Sequence, residues 1–156
     1  MEEVLKRLEK LESDYSSKDW SIEDEPEKIR MIYHDNTLRQ MVYLKEKLDW
    51  SEPGVDAFIV AVLMGAMHGN SKGFLSLPMP NTFSMGWNYI SRKVREEPEK
   101  FACPDRDSFE VLRTRVKRQL SKGQLPGYGI AIYGDCLLYT SPSPRDQRGS
   151  RMPSSA

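Results

Sequence analysis

The densest run of cationic side chains is Arg113, Arg115, Lys117, Arg118 and Lys122, with no acid among residues 113–122. Such charges neutralise phosphates, and each contact releases condensed counterions from a nucleic-acid backbone. Helical spacing sets Arg115, Arg118 and Lys122 on one face, with Arg113 and Lys117 beside them. Arg92, Lys93 and Arg95 form a second group upstream. Residues 84–123 hold ten Lys+Arg against six Asp+Glu, a local surplus of four positive charges. A solvated helix face accounts for the same pattern, because lysine and arginine are ordinary surface residues. A second polar candidate is the loop 77–85, Leu-Pro-Met-Pro-Asn-Thr-Phe-Ser-Met. Two prolines stiffen it and place Asn81 and Thr82 between apolar neighbours. An amide held that way can bond a base edge or a phosphate. The plainer reading is a packed connection whose Asn and Ser cap the next helix.

The remaining reactive residue types point to structure. His34 precedes a helix start and has no identifiable partner for base catalysis, so it reads as a backbone-bonded histidine. His68 closes an apolar helix, where a positive charge favours the negative end of the helix dipole. Cys103 precedes Pro104 without a basic neighbour to favour a thiolate, so it reads as a small hydrophobe. No Gly-rich phosphate loop, no Ser-Asp/Asn-Pro-Pro-aromatic motif and no metal-ligand spacing occurs in residues 1–135. Catalytic, cofactor-binding and metal-ligating residues are therefore all assigned as none.

The elements that must position these groups are mostly helical. Residues 2–18 form an amphipathic helix with Val4, Leu8, Leu11 and Tyr15 inward, and residues 1–20 are read as an N-terminal helix. Residues 21–34, polar and acidic around Pro26, are read as a linker. A helical domain follows over 35–127. Asp35 or Asn36 caps its first helix, which runs to about Leu48. The next starts with Ser51 as cap and Pro53 in the first turn. It is apolar on all sides from Ala57 to Met67, the pattern of a helix buried by its neighbours. Gly69 is expected to end it in a left-handed conformation. Ser84 caps a helix carrying Trp87, Ile90 and Val94 that stops at Pro98. Asp105 or Asp107 opens the last helix, with Phe109, Leu112, Val116 and Leu120 inward and Gly123 beyond its end. Residues 128–135 read as one strand. The fold class is mainly α: five helices plus a terminal strand, the insert of a truncated α/β protein.

Residues 136–156 read differently from the rest. Residues 136–146 and 150–156 match two parts of one translated sequencing adapter in a single frame, with Gln147, Arg148 and Gly149 filling the index between them. The expectation is a non-native, disordered tail that takes no part in fold or function. Without it, 20 Lys+Arg stand against 22 Asp+Glu, a formal charge of −2. That balance gives no nucleic-acid or membrane signal from composition alone. Cys103 is then the only cysteine, so no internal disulfide is expected. No apolar leader opens the chain, and residues 57–67 reach about half the length that spans a bilayer. A cytoplasmic protein without a membrane partner is expected.

Four stretches carry a resemblance. They are 33–40, Tyr-His-Asp-Asn-Thr-Leu-Arg-Gln; 66–69, Ala-Met-His-Gly; 76–85, Ser-Leu-Pro-Met-Pro-Asn-Thr-Phe-Ser-Met; and Gly134-Asp135. Together they make residues 33–135 resemble SAM-dependent DNA methyltransferases acting on an exocyclic amino group of adenine or cytosine. The resemblance implies a fragment lying between a cofactor motif upstream and a Pro-Pro-Tyr catalytic motif downstream, inactive alone. S-adenosylmethionine would belong to the parent and not to this fragment. It also implies contact with DNA through Arg115, Arg118, Lys122 and the loop bearing Asn81. The alternative from the residues themselves is a non-catalytic helical interaction or scaffold module.

Overall fold

The last helix, α6 (Ser108–Leu120), is the hub of the fold, and its inner face shows why. Phe109, Leu112 and Val116 recur at helical spacing and are all buried. They pack against α1 (Glu2–Ser13), α3 (Asp35–Lys47) and α4 (Val55–Ala66). Two further helices complete the set, α2 (Glu27–Ile32) and α5 (Trp87–Glu96), with a single 3₁₀ turn at Ser17–Asp19. The computed structural model describes residues 1–69, 71, 73–79, 86–121 and 123. These belong to one unit, Met1–Gln124, which is mainly helical and has no strand among the described residues. The expected strand at 128–135 and the tail at 136–156 lie outside the described residues.

The N-terminal helix is shorter than its apolar pattern suggested. It stops at Ser13, and the backbone N–H of Asp14 bonds back to Lys10. Tyr15 then leaves the helix axis and joins a ring cluster. It lies 5.2 Å from Tyr43 and 5.7 Å from Phe109, and Trp20 lies 5.2 Å from Tyr43. The Tyr43 hydroxyl donates to the Leu11 carbonyl at 2.8 Å, which pins α3 to the end of α1. Edge-to-face ring pairs of this kind add about 0.5–1.5 kcal/mol beyond their buried area.

Residues 21–34 are not a bare linker. They carry α2, and Ile22, Ile32 and Tyr33 enter the core. The cap of α3 is also displaced by one residue. His34, not Asp35 or Asn36, takes that position, its Nδ1 accepting from the Asn36 N–H at 3.3 Å. At α4 the expected Ser51 cap is absent. Ser51 bonds back to Asp49 at 2.6 Å, and the helix opens at Val55 behind Gly54. Gly69 does not supply a left-handed cap. Among the described glycines only Gly123 has a positive φ, 79°. Gly69 is instead needed for space, since a Cβ there would lie 2.5 Å from the Phe74 ring.

A polar seam fixes the start of α6. Thr37 Oγ1 donates to the Arg106 carbonyl at 2.7 Å and accepts from its N–H at 3.1 Å. Gln40 Oε1 accepts from the Ser108 N–H at 2.6 Å, and Asp107 caps the helix through the Phe109 N–H at 2.9 Å. These bonds satisfy donors that a helix start would otherwise bury unpaired. The segment after α4 packs as expected where it is described. Leu75, Leu77 and Met79 are buried, and their strap bonds to Ala66, Met67 and Ile32.

Candidate functional site

The five cations of the α6 run do not form one surface. Arg113 is drawn to Glu12 of α1 in an ion pair, both partly buried. Arg115 turns onto the protein. Its Nε and Nη2 donate to the Gly73 carbonyl at 3.1 and 2.7 Å, and Nη1 donates to the Gly65 carbonyl at 3.0 Å. The guanidinium carbon stands 4.6 Å from the centroid of the Phe74 ring. Arg115 therefore braces the end of α4 against the following strap, a geometry that only a planar fork of donors can make. Burial, and then the charge of Arg118, lower its pKa from the ordinary arginine value. It stays protonated nonetheless.

Lys117 and Arg118 are exposed, and neither makes an ion pair among the described residues. They are the part of the cluster left to meet a ligand. Lys122 and Asn81, the other expected contacts, lie outside the described residues. In the upstream group, Lys93 pairs with Glu97 at 3.0 Å and Glu96 at 3.5 Å, and Arg92 lies 3.9 Å from Glu96. Arg95 is exposed and makes no ion pair among the described residues.

An open cleft of about 450 Å³ lies beside this helix, lined by Phe74, Arg106, Arg115 and Arg118 but also by Asp105 and Glu110. The carboxylates make it a mixed-charge surface, so a phosphate would be attracted and repelled within the same cleft. Arg106 is further engaged, donating to the Ser71 carbonyl at 3.2 Å. The cationic side available to an anion is therefore the outer edge of α6.

Of the other singled-out residues, His34 and Cys103 make structural contacts. His34 caps α3, with Asp105 3.2 Å from the same nitrogen. His68 lies just past α4, half-buried. The Cys103 thiol donates to the Met31 carbonyl at 3.1 Å, and burial, with a smaller effect from Asp35, pushes it up to about 11. A thiol in that range is not a nucleophile at neutral pH. No group of three or more potential metal ligands occurs among the described residues, and no helix is long and apolar enough to cross a membrane.

Sequence reasoning passed over an apolar groove of about 300 Å³ between α2, α3 and α4. Tyr33, Met41, Leu63, Met64 and Trp50 line it, with Glu25 and Lys45 also in its lining. Burial raises the Tyr33 hydroxyl well above the ordinary tyrosine range, and that hydroxyl has no hydrogen-bond partner among the described residues. The signal for the groove lay in the uniform apolarity of α4, which was read as burial. No protein-family model, curated protein or solved structure matches the chain.

Proposed function

We propose that this helical unit is the phosphate-contacting region of a SAM-dependent DNA methyltransferase of the exocyclic-amino type, inactive alone. The resemblance over residues 33–135 supplies the family. The observation that carries the contact is that Lys117 and Arg118 are exposed and unpaired among the described residues. They stand on a helix fixed by Phe109, Leu112 and Val116. Cations without a partner lose nothing internal on meeting a phosphate. Lys122 and Asn81, which the resemblance also implicates, lie outside the described residues. Arg115 acts through shape, by holding the strap that leads toward Asn81. In this reading S-adenosylmethionine belongs to the parent protein, whose cofactor motif the resemblance sets upstream of these residues. No methyl-transfer step is assigned to them.

Filter binding of duplex DNA across a salt series tests this reading. Two or three phosphate contacts give a shallow slope of log K against log salt, about −2 to −3. The double variant K117E/R118E lowers the slope by about two. Both positions are exposed, so the variant keeps its fold, which circular dichroism verifies. An unchanged slope removes the DNA contact from this helix. For the family itself, the source genome is read beyond Asp135 for a Ser/Thr-Pro-Pro-Tyr motif. Its absence removes the methyltransferase parent.

The second reading is a non-catalytic helical interaction module. The groove favours it, because Trp50 and Met64 beside it are 65% and 66% exposed.

A further inference from the structure

Helix α4 is apolar nearly throughout, yet the described residues cover only part of it. Ile59, Val62, Leu63 and Ala66 are buried, whereas Ala61, Met64 and Gly65 face outward. A helix that is apolar all round is normally covered on every side. The uncovered face runs into the groove through Met64, which belongs to both. Pockets that take drug-sized ligands start at about 300 Å³. The groove is at that lower limit, a size for one bulky side chain and not for a large cofactor.

We propose that this surface is a two-fold interface with a second copy of the chain. In such an interface the same patch serves both sides, and if residue i meets residue j then j meets i. The patch has the features this requires. It holds a hollow and, at the hollow's edge, an exposed aromatic that fits one. It also holds both signs of charge, Glu25 and Lys45, and neither makes an ion pair among the described residues. A two-fold axis sets Glu25 against Lys45 of the partner subunit, twice per dimer. Ala61 and Gly65 are small and one turn apart, and a Cβ built at Gly65 meets nothing within 4 Å. Small residues at a crossing point let two helix axes approach closely. The inference rests on the interaction reading and is independent of DNA contact.

Sedimentation velocity of the full chain over a concentration series is the test. The expected result is a monomer–dimer equilibrium that M64E or W50S shifts to monomer. Both side chains are about two-thirds exposed, so these variants keep their helical signal and, where the wild type is monomeric, its melting temperature. E25K and K45E each weaken the dimer at least ~tenfold, because each creates two like-charge contacts. The double swap E25K/K45E restores affinity to within about threefold, the signature of a direct pair. A wild-type chain that stays monomeric at every soluble concentration overturns the proposal, as does a double swap no tighter than the single ones. A monomer that binds an apolar dye through Met64 overturns the second copy while leaving the interaction reading intact.

Discussion

Helices α4 and α6 pack against each other, yet they complete themselves in opposite ways. α6 turns Phe109, Leu112 and Val116 inward and places Lys117 and Arg118 in solvent. Each of its faces is in the medium that suits it. α4 turns Ile59, Val62, Leu63 and Ala66 inward but has little polar to place outside, so Ala61, Met64 and Gly65 are left there. The contrast teaches that apolarity states what a helix needs, while burial states what its neighbours supply. An amphipathic helix can be satisfied within one small unit. A uniformly apolar one is satisfied only if it is surrounded, and the described residues do not surround this one.

Truncating one side chain on each helix tests the contrast most strongly. Leu112 is fully buried against the core. Leu112→Ala is expected to cost about 2–5 kcal/mol, from lost transfer energy plus the cavity left behind. Met64→Ala, although it also shortens an apolar side chain, is expected to stay within about 0.5 kcal/mol in the monomer. Urea unfolding at low protein concentration measures both. Equal losses would mean that the outward face of α4 is buried in solution.

A smaller effect is expected at the polar seam that anchors α6. Gln40→Leu keeps the volume but leaves the buried Ser108 N–H without its 2.6 Å acceptor. An unsatisfied buried donor costs about 1–3 kcal/mol. The loss is read by urea unfolding, and amide exchange should rise first in the opening turn of α6. Amide protection unchanged from wild type would show that Thr37 and Asp107 anchor the helix without Gln40.

These two sites also show what was legible in the sequence. The inner face of α6 was, because Phe109, Leu112 and Val116 repeat at the helical period and Asp107 stands where a cap belongs. Mainly helical architecture followed from the same kind of pattern. The role of Arg115 was not legible, since its acceptors are backbone carbonyls 42 and 50 residues away. A run of like charges gives no hint of which member folds inward. Gly69 was assigned by a local rule for helix ends, whereas its reason is the Phe74 ring, a three-dimensional neighbour. The short α2 was hidden by its six-residue length and the acidic stretch ahead of it. Of the four expected contacts, Arg118 is exposed, Arg115 turns inward, and Asn81 and Lys122 lie outside the described residues.

The smallest expected effect concerns the one ionic tie that α4 makes to α1. Arg7 meets Asp56 with two bonds of 2.8 Å, and the Asp49 N–H donates to the same carboxylate at 3.2 Å. The Arg7 hydrogen bond holds the Asp56 carboxyl below its ordinary value, outweighing the opposing effect of burial. A carboxyl depressed in the folded state binds its proton later than in the unfolded chain. Its stabilising contribution is therefore present above the unfolded value, about 3.9. It is lost as pH falls through the lower folded value. The pair is partly exposed, so its worth is at most about 1 kcal/mol. Asp56→Asn should cost that amount at neutral pH, and the gap from wild type should close in acid, once pH falls below the lowered folded value. Urea unfolding at the two pH values measures it. A gap that persists in acid would mean that α4 is anchored there by packing, as α6 is, and would narrow the difference between the two helices to their outward faces.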